Sequence, residues 1–270
     1  MSGDSRPIGV FDSGVGGLTV LRALTSHLPG ESTLYLGDTA RVPYGTKSPA
    51  VVTRYSLKNA AFLVERDIKL LVVACNTATA AALPALEQAL TIPVVGVVAP
   101  GARAAAATVP AHGRVAVIGT PSTIKSGAYT HALRALRPDV EVVGRACPLF
   151  VPLAEEGWTE GEVPRMVAER YLGDLRGRVD ALVLGCTHYP LLKDAITGVM
   201  GPGTRLVDSA EATAAEVAQR LSSGGLLAPA GTPVHHGFYV TDVPDRFVEV
   251  GARFLGRALP GAEQVDISFS

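Results

Sequence analysis

Two stretches decide how this chain is read: VVACNTATAAAL at Val72–Leu83 and LVLGCTHYPLL at Leu182–Leu192. Each is a short apolar run of valine, leucine and alanine or glycine that ends in a cysteine, followed by small polar residues and a helix-like segment. A run of that kind leading into a helical pattern is one strand-to-helix step of a parallel α/β unit. The chain has three cysteines, and two of them occupy this same step 111 residues apart.

Similar apolar runs recur at Ile8–Phe11, Thr33–Leu36, Leu70–Ala74, Val94–Val98, Val115–Ile118, Val140–Val143, Ala181–Leu184 and Arg205–Val207. Helix-like segments separate most of them. One is Leu18–Leu28; another is Pro49–Arg66, with Ser48 placed to cap it and Pro49 at its first position. Strands that are apolar almost throughout, alternating with helices, predict an α/β fold with parallel sheets.

A repeat underlies this alternation. GVFDSG at Gly9–Gly14 aligns with AVIGTP at Ala116–Pro121 at a shift of 107, and Gly37 matches Gly144 at the same shift. Pro93 and Thr204, which open two further strands, each lie 18 residues after their cysteine. The expected architecture is two similar parallel-sheet α/β domains related by internal pseudo-symmetry, with the active site between them. The expected bounds are 1–98 plus 209–270 for the first domain and 99–208 for the second. The segment after Asp208 has no counterpart; it is expected to return to the first unit, where Phe247, Val250 and Phe254 gain cover.

Composition excludes several classes. Of 270 residues, 47% are hydrophobic and 18% charged, enough for a substantial core. The net charge is −1 and there is no Lys/Arg run, so no nucleic-acid partner is expected. The N-terminus shows no charged segment leading into an apolar one, which fits a cytoplasmic protein. Leu70–Leu86 is uncharged but contains Asn76, Thr77, Thr79 and Pro84, and reads as a buried strand and helix rather than a membrane span. The cysteines form neither a disulfide framework nor a C-x-x-C pair, and no zinc-ligand spacing occurs. No metal or cofactor is expected.

Ligands of open parallel sheets gather beyond the carboxyl ends of the strands, where both Cys75 and Cys186 are placed. The positive end of a following helix favours thiolate over thiol. A lone cysteine after a strand is most often a buried packing residue, and Cys147 is read that way. Two in corresponding positions, followed by Asn76-Thr77 and Thr187-His188, point instead to chemistry. One thiol from each half, on opposite faces of one carbon, suits inversion of a stereocentre by one acid and one base. Asp12-Ser13 after the first strand and Tyr44-Gly45 after the second are placed to bind a substrate, although Asp12 can also be read as a helix cap. The glycines of FDSGVGG do not form a dinucleotide fingerprint. Arg22, Arg41 and Lys47 are cations that can meet a carboxylate. His235 and His236 are read as exposed turn residues.

Taken together, FDSGVGGLTV (Phe11–Val20), YLGDTARVPYG (Tyr35–Gly45), ACNTA (Ala74–Ala78), VPLAEEG (Val151–Gly157) and LGCTHYP (Leu184–Pro190) resemble the cofactor-independent aspartate/glutamate racemase family. The likeness spans nearly the whole chain, and the DTARVPYG and THYP blocks favour glutamate as substrate. It implies Cys75 as base towards the D-enantiomer and Cys186 towards the L-enantiomer. It implies that Asp12 assists Cys75, that His188 assists Cys186, and that Glu155, or its neighbour Glu156, supports His188. Substrate contacts implied are Asp12, Ser13, Tyr44, Gly45, Asn76, Thr77, Thr187 and His188, with Thr120 and Thr123 contributed by the second domain. It also implies a role in supplying D-glutamate for peptidoglycan, and a homodimer. The rivals are a racemase or isomerase of the same group acting on aspartate, hydantoin or maleate, and a two-lobed binding protein without chemistry. A thiol–disulfide oxidoreductase and a pyridoxal-dependent racemase are disfavoured by the absence of C-x-x-C and the scattered lysines.

Overall fold

The computed structural model describes residues 3–267. The chain first forms β1 (Ile8–Asp12), α1 (Leu18–His27), β2 (Thr33–Gly37), α2 (Pro49–Val64), β3 (Leu70–Val73), α3 (Asn76–Ala89) and β4 (Val94–Gly96). It continues through α4 (Val98–Thr108), β5 (Arg114–Gly119), α5 (Pro121–Ser126), α6 (Ala128–Leu136), β6 (Glu141–Ala146), α7 (Phe150–Glu155), α8 (Glu162–Leu172) and β7 (Ala181–Gly185). Then come α9 (Lys193–Met200), β8 (Arg205–Asp208), α10 (Ser209–Ser223), β9 (His236–Val240), α11 (Pro244–Leu255) and β10 (Glu263–Gln264).

The strands make two sheets, ordered β10-β9-β2-β1-β3-β4 and β6-β5-β7-β8. Every pairing is parallel. The order β2-β1-β3-β4 in the first sheet is repeated as β6-β5-β7-β8 in the second, so the two domains are related by the internal symmetry expected. Register refines the correspondence. Gly9 pairs with Leu71 and Ala116 with Leu182, which places β3 and β7 at a shift of 111, the same as the two cysteines. Gly9 pairs with Leu34 but Ala116 with Val143, so the counterpart of Gly37 is Ala146 and not Gly144. A slip of two residues keeps every side chain on its own face, so hydrophobic patterning does not reveal it. Likewise Leu71 pairs with Val94 and Leu182 with Leu206, which makes Arg205, not Thr204, the counterpart of Pro93.

Alternate side chains of each strand enter cores on opposite faces, because the strand period is two. Val10, Tyr35 and Val72 meet α1, α10 and α11 on one face of the first sheet. Phe11, Leu36 and Val73 face the side of α2 and α3. In the second sheet Ile118 and Leu184 join the core that holds α7, α8 and α9. Val117 and Val183 join the one that holds α4 and α6. The chain crosses between sheets twice, through α4 and α10, and these helices pack on each other.

The segment after Asp208 lies against the first sheet. Ala214, Val217 and Leu221 of α10 and Phe247, Val250 and Phe254 of α11 are all buried in its core, and β9 pairs with β2. Neither β9 nor β10 is among the strands expected from sequence, and His236, read as a turn residue, opens β9. Val98 is the first residue of α4 rather than the end of a strand, since β4 stops at Gly96. Ser48 caps α2, accepting the Val51 N–H at 3.4 Å, with Pro49 behind it. Among the described residues no helix is long and apolar enough to cross a membrane.

Candidate active site

Between the two sheets lies a cavity of about 160 Å³, and both Cys75 and Cys186 line it. That is far more than the ~15 Å³ a single water needs. Ser13, Tyr44 and Cys75 reach it from the carboxyl ends of β1, β2 and β3, and Thr120 and Cys186 from those of β5 and β7. Strand-end loops of both sheets thus converge on one small volume.

On the first side, Cys75 is buried and is the N-cap of α3. Its sulfur accepts the Ala78 N–H at 3.4 Å, and its thiol donates to the Ser13 hydroxyl at 3.8 Å. The positive helix end is expected to lower the thiol pKa, but the structure gives the reverse. Burial pushes it up to about 12, and the charge of Asp12 adds to the rise, outweighing the hydrogen bonds with Ala78 and Ser13. Asp12 is wholly buried; its Oδ2 accepts the Gly14 N–H at 2.9 Å while Oδ1 has no partner. Burial raises its carboxyl pKa as well, against the lowering effect of His188 and nearby N–H groups. It does not cap α1, whose N-cap is Gly17.

The second side is built differently. Cys186 is not at the start of an α-helix: a 3-10 turn, Tyr189–Leu192, stands between it and α9. Its partner is His188, whose Nδ1 lies 3.8 Å from the sulfur. His188 Nε2 lies 2.9 Å from Glu155 Oε1, so the carboxylate that reaches the imidazole is Glu155, and Glu156 pairs with Arg246 instead. Burial disfavours a charged imidazole here, but the hydrogen bonds to Cys186 and Glu155 prevail and lift His188 to about 10. Glu155 shows the complement: burial works against its charge, and His188 brings its pKa below the ordinary value.

Direct contacts join the halves. Thr77 Oγ1 lies 2.9 Å from Thr120 Oγ1 and 3.0 Å from Thr123 Oγ1, and the last two are 3.0 Å apart, a closed ring of three hydroxyls. Thr120 also caps α5, accepting the Thr123 N–H at 3.2 Å. Ser122 donates to the Gly45 carbonyl at 2.8 Å, and Thr19 to the Thr187 carbonyl at 3.1 Å. Gly45 allows the approach: a Cβ there would stand 2.7 Å from Thr120 Cβ.

The structure therefore brings Ser13, Tyr44, Gly45, Asn76, Thr77, Thr120, Thr187 and His188 to the wall of one cavity with both thiols. Asp12, Glu155 and Thr123 stand behind that wall. Arg22, Arg41 and Lys47 are not on it. Arg41 instead binds Asp38 at 2.7 Å and Asn59 at 2.8 Å. The sequence reading passed over Asp38, which is fully buried at the end of β2 and accepts from Tyr44, Arg41 and Thr241. It fixes the loop that carries Tyr44. An aspartate inside YLGDTARVPYG, ahead of an arginine and a tyrosine, was the available signal. Tyr129 was also passed over; its hydroxyl meets Asn76 from the other domain.

Of the described residues, no three or more His, Cys, Asp or Glu side chains form a group that could hold a metal ion. Chemically the site offers two thiols, a buried carboxylate beside one, a charged imidazole beside the other, and neutral donors around them.

Comparison with known proteins agrees with this geometry. Residues 9–217 match the Asp/Glu/hydantoin racemase family. The glutamate racemase of Geobacter metallireducens is 61% identical over 263 residues, covering 97% of each chain. That of Syntrophus aciditrophicus is 51% identical over 98% of each. The crystal structure of glutamate racemase from Francisella tularensis in complex with D-glutamate superimposes with a TM-score of 0.91 at 39% identity, covering 98% of each chain.

Proposed function

The chain belongs to the Asp/Glu/hydantoin racemase family, and we propose that it interconverts L-glutamate and D-glutamate through the pair Cys75 and Cys186. The observation that carries this reading is that the two sulfurs, one from each sheet, line the same cavity.

In the direction from D to L, the Cys75 thiolate takes the α-proton and the Cys186 thiol returns one to the opposite face of the carbon. The electron pair left on the α-carbon by the first transfer forms the new C–H bond in the second. The enzyme ends with Cys75 as thiol and Cys186 as thiolate, ready for the reverse reaction. His188, held charged by Glu155, stands 3.8 Å from the Cys186 sulfur and can exchange a proton with it. At Cys75, a thiol pushed up to about 12 needs help. Asp12 can take its proton, because burial raises the carboxyl pKa and Oδ1 is without a partner. The substrate ammonium brings a positive charge that favours the resulting thiolate. Ser13, Tyr44, Gly45, Asn76, Thr77, Thr120, Thr187 and His188 hold the substrate. The bodies that part to admit it are 1–98 with 209–270, and 99–208, moving about α4 and α10. The family resemblance further supports a cytoplasmic homodimer that supplies D-glutamate for peptidoglycan.

The test is direct. Purified protein without added cofactor, given L-glutamate in deuterated water, is expected to form D-glutamate labelled at the α-carbon. Inversion without label at that carbon rules out proton transfer through the thiols, and no inversion at all rules out the activity.

A further inference from the structure

Asn76 follows Cys75 directly and lines the cavity. Its Oδ1 accepts a hydrogen bond of 2.7 Å from the Tyr129 hydroxyl, while its Nδ2 is buried and without a partner. Both residues are 2% exposed. Tyr129 sits in α6 within the core of the second sheet, so this bond runs from one domain to the other. The phenol has one proton, and it is given to Asn76.

That polarity matters because a carboxamide accepts at one end and donates at the other. With Oδ1 occupied by Tyr129, the donating end is left for whatever enters the cavity. A buried donor left unpaired is costly, so its natural partner is a ligand oxygen.

We propose that Tyr129 is a positioning residue: from the second domain it holds the Asn76 carboxamide so that the NH₂ group donates to a carboxylate oxygen of the bound amino acid. This rests on the racemase reading above. Because the Tyr129–Asn76 bond spans the domains, the donor is set only when they are together, which couples closure to recognition of the substrate.

Tyr129→Phe keeps the ring and removes the hydroxyl. The expected result is a rise in KM for both glutamate enantiomers of about five- to tenfold with kcat within about twofold, since an oriented hydrogen bond to a charged group is weakened in ground and transition states alike. Asn76→Ala raises KM at least as much, and adding Tyr129→Phe to it changes KM no further, because the hydroxyl acts only through the amide. Thermal melting of each variant is recorded alongside, and if Tyr129→Phe does not fold, Asn76→Asp decides: it keeps an acceptor for the Tyr129 hydroxyl but lacks the NH₂ donor, so a wild-type KM overturns the proposal. An unchanged KM in Tyr129→Phe, or full additivity with Asn76→Ala, overturns the proposal. A wild-type protein inactive on glutamate instead overturns the racemase reading, so the two failures are told apart in one assay.

Discussion

Cys75 and Cys186 occupy equivalent places in two sheets of the same strand order, at the 111-residue shift that also relates β3 to β7. Around them the symmetry ends. Cys75 caps a 14-residue helix and has a buried carboxylate for company. Cys186 precedes a 3-10 turn and has an imidazole pinned by a glutamate. Duplicated backbone delivers two sulfurs to one cavity, whereas each half surrounds its own sulfur with different ionisable groups. At Cys75 the N–H contact of the helix end is outweighed by burial and Asp12. Opposite, His188 is kept charged by its hydrogen bonds to Cys186 and Glu155.

If the two half-sites form one acid–base pair, deleting either sulfur must be equally damaging. Cys75→Ala and Cys186→Ala are each expected to lower racemisation by at least about 10³-fold, since both a base and an acid are needed in every turnover. Circular-dichroism spectra of both variants should match that of the wild type. Either variant retaining more than about a tenth of the rate would break the pairing and leave one thiol a mere packing residue.

The next largest effect concerns how closely the first domain approaches His188. Gly16 lies against Thr187 and His188; a Cβ there would overlap Thr187 Oγ1 and stand 2.5 Å from His188 Nδ1. Among the described residues no glycine presses on Cys75 in this way; Gly17 abuts Asp12, Tyr35 and Ala74 instead. Gly16→Ala should therefore displace His188 and cost about 10- to 100-fold in kcat, the scale of a misplacement near 1 Å. A kinetic assay with both enantiomers checks it. Wild-type kcat in this variant would mean that the imidazole position is not critical.

How far these features were legible in the sequence follows from their physics. The central strands β1, β3, β5 and β7 are nearly continuous apolar runs because both faces are covered, and such runs stand out. β9 and β10 do not. HGFYV opens with histidine and glycine, and EQ is two exposed polar residues at a sheet edge. The slip between β2 and β6 was hidden because two residues restore the same facing. The cavity residues were visible as clusters following strands. Their partners were not, since Asp38 and Tyr129 act through side chains brought close only by tertiary structure. THYPLL misled for a local reason: Pro190 fits the first turn of a helix, yet the backbone spends a 3-10 turn before α9 begins.

The smallest of these effects isolates the device that Cys75 lacks. Glu155→Gln keeps a hydrogen-bond acceptor beside His188 but removes the charge. In the folded protein His188 titrates at about 10, above the unfolded value of 6.5. Its proton therefore stabilises the fold fully below 6.5, and that contribution is lost as pH rises through about 10. Without the Glu155 charge, only Cys186 remains of the two groups that raise His188, so its pKa falls. The alkaline limb of the kcat profile is expected to move about one pH unit towards neutrality, with kcat near pH 7 changed by only a few-fold. The urea midpoint should follow: the wild type keeps its stability further into the alkaline range than Glu155→Gln does. Ser13→Ala, the matching deletion of a hydrogen-bond partner on the Cys75 side, should leave that limb in place. If Glu155→Gln also leaves it in place, His188 is not kept charged by Glu155, and the contrast between a carboxylate-assisted and an imidazole-assisted thiol loses its physical basis.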